Sequence, residues 1–298
     1  WATWWNRAAT SSRKTPCGSP TLTSDPTLPG TASGDPGDPG DSERANAAMA
    51  TPHPVLPWRG FLVDCVLSTV VLVALSTLMI VPVVMLHMAG LAAAGTPMVG
   101  TPDMGPVMPA ITVAAILAML CTAVLVWWLR GRKLAGALPR MAPMPAYGLA
   151  LAAGVAIQMG AQSFAWLLEQ SGAGLEPSNA QPVTALLGSA PWLAWLLIVA
   201  VGPFAEELLL RHVLLRRFAL AGFGGIGLVL TSVAFALLHE PVPTEAGVAA
   251  WLGGLAMYTG MGAAFALVYL RTGRLRAAFL AHAACNATAL LVAAYSAS

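Results

Sequence analysis

Two adjacent carboxylates, Glu206 and Glu207, sit in the stretch FAEELLLRHVLLRRF (204–218), inside the most apolar half of the chain. Neighbouring residues on a helix point about 100° apart, so the two cannot share one role. Glu207 precedes Arg211 by four residues, the favoured direction for an i,i+4 ion pair that neutralises the carboxylate and fixes the helix. Glu206 is then left to project from a different face.

Further along, TSVAFALLHEPVP places Ser232, Phe235 and His239 on one helical face, and FLAHAACNATALL does the same for His282 and Asn286. A glutamate, a histidine and a His/Asn pair form a coherent hydrolytic set. Glu206 would take a proton from water that His239 holds and polarises, while His282 and Asn286 would donate to the oxyanion of a tetrahedral intermediate. The same Glu206, His239 and His282 would also serve as a two-histidine, one-carboxylate zinc site. The metal-free form is favoured, since no carboxylate that would orient either histidine is evident from the sequence. HEPVP lacks the second histidine of an H-E-x-x-H helix, which excludes that metalloprotease class. Cys285 points about 100° away from Asn286 and is a poor candidate nucleophile. Asp64 and His87 complete the ionisable residues within apolar runs.

These residues matter because of the medium around them. The chain has 298 residues, 57% hydrophobic and 9% charged, a composition that excludes an ordinary soluble enzyme. A net charge of +2 with dispersed Lys and Arg argues against nucleic-acid binding. Seven apolar runs of spanning length are expected, at about 61–90, 107–129, 146–168, 190–210, 223–239, 246–270 and 277–296. The fold class is therefore all-α, a polytopic transmembrane helix bundle. The fourth run continues into charged residues 206–217 and is expected to project beyond the membrane. The four cysteines, Cys17, Cys65, Cys121 and Cys285, contain no C-x-x-C pair and indicate neither a disulfide framework nor a zinc knuckle. Ionisable groups inside spans are costly in hydrocarbon, and so are functional candidates by default.

From Arg59 onward all basic residues fall in alternate loops: Arg130, Arg132, Lys133 and Arg140; Arg211, Arg216 and Arg217; Arg271, Arg274 and Arg276. By the positive-inside rule the N-terminus is cytoplasmic in a cell (cytoplasmic) membrane. Residues 1–57, rich in Pro, Gly and Ser with the repeat GDPGDPGD, are expected to be a disordered tail, and Met49 is a candidate start. Residues 58–144 are then two N-terminal transmembrane helices and 145–298 a catalytic membrane domain.

The motifs E206-E207-L-L-L-R211, F235-A-L-L-H239 and H282-A-A-C-N286 resemble the E-E-x-x-x-R, F-x-x-x-H and H-x-x-x-N set of the CAAX prenyl endopeptidase and bacteriocin-processing (CPBP, or Abi) family of intramembrane proteases. Each motif alone is weak; all three in order, in successive membrane segments, are strong. The resemblance spans about residues 145 to 296. It implies an endopeptidase acting on membrane-associated peptides, lipidated ones among them, with Glu206, His239, His282 and Asn286 catalytic and with Glu207, Arg211 and Phe235 supporting. It leaves open whether zinc is used and which peptide is cut. The competing classes are a transporter, for which Gly202–Pro203 is a helix break without an obvious twin, and a scaffold whose polar residues only join helices.

Overall fold

The computed structural model describes residues 57–95, 102–172, 175, 177–243 and 247–296. The expected disordered tail lies outside the described residues, save Pro57. The regular structure among the described residues is helical: α1 (Trp58–Ala93), α2 (Met108–Leu129), α3 (Pro143–Gln170), α4 (Ala180–Ser189), α5 (Pro191–Leu220), α6 (Gly224–His239), α7 (Gly247–Thr272) and α8 (Leu275–Ser296). Six of these, all but α4 and α6, are long and apolar enough to cross a membrane. The fifth expected span, 223–239, is the shorter α6 of 16 residues. It starts after Gly222, whose φ of 85° suits glycine, and it stops at the Glu240–Pro241 break.

Close approach between helices is set by glycine, as expected where lipid removes the hydrophobic drive for helix association. A Cβ on Gly154 of α3 would overlap Ala284 of α8, one on Gly227 of α6 would overlap Phe218 of α5, and one on Gly262 of α7 would stand 3.1 Å from Ser232 Cα of α6. Apolar side chains such as Leu62, Val66 and Val70 on α1 cover the outside of the bundle, where they are suited to lipid.

The second half of α5 packs within the bundle. Leu208 to Leu215 are buried apart from His212, which is half-buried. Arg216 donates to the carbonyls of Leu134 and Gly136, and Arg274 to that of Met141, so the connecting segment 134–142 is strapped across the basic end of the bundle. At the same end Asp64 of α1, fully buried, is ion-paired to both Arg130 and Arg217. Phe61 and Trp58 pack edge-on against Phe218, with ring centroids 5.0 and 5.4 Å apart. The basic residues that mark topology in the sequence thus also hold the helices in register.

Candidate active site

α5 is the element that aims the carboxylates, and it is not a uniform α-helix. Residues Leu196–Val201 and Leu208–Leu215 are π-helical, with an α-helical turn Gly202–Glu207 between them. Pro203 explains the first of these. It has no N–H to donate, and the Gly202 N–H reaches back to Leu197 O. The carbonyl of Ile198 is left without an intrahelical donor, and Asn286 Nδ2 of α8 donates to it at 2.8 Å. A helix break in one element thus becomes a tether for a polar residue in another.

α5 and α6 form a hairpin about the turn 221–223. Counting 1.5 Å per residue, Glu206 lies about 21 Å and His239 about 22 Å from that turn, so the two side chains meet at one level.

His239 Nε2 lies 3.9 Å and His282 Nε2 4.0 Å from the same oxygen, Glu206 Oε2. That oxygen is buried and has no hydrogen-bond partner among the described residues. The other nitrogen of each ring is occupied. His239 Nδ1 is 2.9 Å from Phe235 O, and His282 Nδ1 is 3.2 Å from Glu207 Oε1. A backbone carbonyl and a carboxylate only accept, so both Nδ1 atoms carry a proton, and each ring in its neutral form turns an Nε2 lone pair toward Glu206. The centre is a cluster of acceptors, which a donor-rich or cationic guest would satisfy.

Glu207 has two partners. Arg211 Nε is 3.1 Å from Glu207 Oε2 with both side chains fully buried, yet the contact is out of line for a directed hydrogen bond. It is an ion pair by proximity alone. The other Glu207 oxygen orients His282, which supplies the carboxylate partner that was not evident from sequence. The Arg211 guanidinium also lies 5.6 Å over the Phe235 ring.

Aromatic rings complete the frame. His239 packs on Phe235 and Tyr258, with centroids 4.4 and 4.5 Å apart, and His282 stacks on Phe265 at 4.4 Å. Tyr258 and Phe265 escaped the motif-based reading, although Tyr258, Gly262, Phe265 and Tyr269 form a buried i, i+4, i+7, i+11 stripe on α7. Glu240, Ser178 and Asn179 were missed as well. Glu240 is buried; its Oε1 accepts the Ser178 N–H at 3.0 Å, and Ser178 Oγ donates to His239 O.

Two cavities flank this centre, of about 460 and 390 Å³. The larger reaches Glu206 and is walled by Leu72 of α1 with Met108, Ile111 and Met119 of α2. The smaller reaches His282 and carries Gln158 and Gln162 of α3. His239, Asn286 and Asn179 line both. Asp64 and His87 are not part of the site: Asp64 serves the basic end, and His87 bonds to Asp103 O. Cys285 faces Gln158, its Sγ 3.5 Å from Oε1.

Zinc can be tested against this geometry. Its ligand atoms sit about 2.0–2.1 Å from the metal, hence about 3.4 Å from one another in a tetrahedron. The observed 3.9 and 4.0 Å are wider by about half an ångström. A water donating both hydrogens, about 105° apart, to partners about 2.8 Å away spans about 4.4 Å. The donor chemistry suits either guest, and the separations fall between the two.

The fold and site together define a multi-pass membrane protein with a half-buried glutamate between two histidines. Residues 188–288, which run from the end of α4 into α8 and include all seven residues of the three motifs, match the family described as type II CAAX prenyl endopeptidase Rce1-like. The chain therefore carries an Rce1-like domain, in agreement with the resemblance drawn from its motifs. α1, α2 and α3 precede the matched segment. No curated protein and no solved structure matches the chain.

Proposed function

We propose that the protein is an intramembrane endopeptidase in which Glu206 activates a water molecule to attack a peptide bond of a membrane-associated substrate. One observation carries this reading: two Nε2 atoms converge on one buried, unpartnered oxygen of Glu206. A water there donates one hydrogen to Glu206 and the other to His239 Nε2, leaving an oxygen lone pair free for the carbonyl carbon. The water oxygen bonds to that carbon and its proton passes to Glu206. The oxyanion accepts from the second N–H of Asn286, and also from His282 Nε2–H when that ring has taken up a proton from solvent, a charge that Glu207 is placed to balance. As the C–N bond breaks, Glu206 returns the proton to the leaving nitrogen, giving a carboxylic acid and an amine.

Zinc, if bound, would be held by Glu206, His239 and His282 and would supply Lewis-acid activation of the water. The apolar cavity walled by α1 and α2 suits a peptide with an apolar or lipidated end, and a farnesylated CAAX peptide is the first substrate class to try. The test is cleavage of such peptides by protein in liposomes, followed by mass spectrometry, with Glu206→Gln alongside. Loss of cleavage in a variant that keeps its melting temperature supports the reading, and a fully active variant ends it.

A further inference from the structure

The centre is rich in acceptors and short of donors. Glu206 accepts, and both Nε2 atoms present lone pairs in the neutral rings. One N–H of Asn286 is already given to Ile198 O. A peptide in an extended conformation brings its own carbonyl acceptors, and each one stripped of water needs a donor.

Asn179 is built to be that donor. Its Oδ1 accepts the Tyr258 hydroxyl at 3.1 Å, which turns the amide N–H2 the other way. Among the described residues nothing accepts from that N–H2. Asn179 lines both cavities beside His239 and Asn286. Its loop is fixed to the end of α6, where Ser178 bonds to His239 O and Glu240 and the Trp251 indole donates to Glu240 O at 3.0 Å. The same helix end therefore sets both His239 and Asn179, so the amide is ordered before any ligand arrives.

We propose that Asn179 is a substrate-binding residue, its amide N–H2 donating to a main-chain carbonyl of the peptide where the two cavities meet, with Tyr258 as the positioning residue that orients it. The proposal rests on the endopeptidase reading above and concerns a residue outside the matched segment 188–288.

The test is anisotropy-monitored binding of a fluorophore-labelled farnesylated CAAX peptide to the full chain in nanodiscs, in a Glu206→Gln background that prevents turnover. Asn179→Ala weakens binding about tenfold. Asn179→Asp keeps an acceptor for Tyr258 but removes the donors, and weakens binding at least as much. Tyr258→Phe keeps the ring on His239 and loses only the orienting bond, for a loss of about threefold. Parental affinity in Asn179→Ala overturns the proposal. Should that variant melt early, the Asp variant decides, since its anchor is intact, and parental affinity there is equally fatal. Peptide cleavage by the Glu206→Gln protein at the wild-type rate would sink the hydrolytic reading, while the affinity ratios would still judge Asn179.

Discussion

Asp64 and Glu206 are both carboxylates between two basic side chains inside a membrane bundle, and they do opposite things. Asp64 touches two guanidiniums, Arg130 and Arg217, which keep their charge under all conditions. Its charge is balanced in place and nothing is left to bind. Glu206 faces two imidazoles at 3.9 and 4.0 Å, too far for direct hydrogen bonds, and each ring has its proton committed elsewhere. The first arrangement ties α1 to α2 and α5. The second leaves room for one small molecule and an unmet demand for its hydrogens. Separation and proton placement, not residue type, distinguish a clamp from a reactive centre.

The contrast can be broken most directly at Glu206. Glu206→Gln should lower kcat by about 10⁴-fold with the melting temperature held, and a variant that still cleaves would show the centre to be another clamp. Asp64→Asn should do the reverse: stability falls by about 3 kcal/mol in denaturant titration, because two guanidiniums lose their counter-charge, while kcat per folded molecule stays near wild type. Turnover lost without loss of stability would mean that the two regions are not separable. Asn286→Ala should reduce kcat about 100-fold with KM little changed, sharpening the division between activating the water and holding the oxyanion. Dialysis against a zinc chelator should leave the rate unchanged. A rate lost and then restored by zinc would transfer Glu206, His239 and His282 to a metal.

The polar residues of the centre are legible one at a time because each interrupts an apolar run, and because i,i+4 spacing puts Phe235 with His239 and His282 with Asn286 on shared faces. Their partners are less legible. Glu207 meets His282 across 75 positions and Asp64 meets Arg217 across 153, separations at which helical periodicity carries no information. Arg211, four residues from Glu207, is the neighbour that spacing brings forward. It supplies only half of what the carboxylate does. Hydropathy likewise ranks the run 223–239 with the others, although the glycines before it and Pro241 after it limit α6 to 16 residues. Asn179 and Tyr258 carry no signal of their own: an asparagine in a loop and a tyrosine in an aromatic stripe read as a turn and a core.

The π-helical turn at Leu196–Val201 has a consequence for how such a site can change. A π turn holds one residue more than the α-helix it interrupts, so α5 carries a surplus residue that adds almost nothing to its length. Losing Val199 would let α-helical pairing close over the gap, short only of the bond that Pro203 cannot donate. The helix would still cross the bilayer, and its apolar composition would hardly differ. Glu206 would be swung about 100° relative to the residues before the turn, away from both imidazoles. Aim is thus stored in a residue count, and a one-codon deletion that removes no polar side chain could silence the centre while leaving a membrane protein of normal appearance.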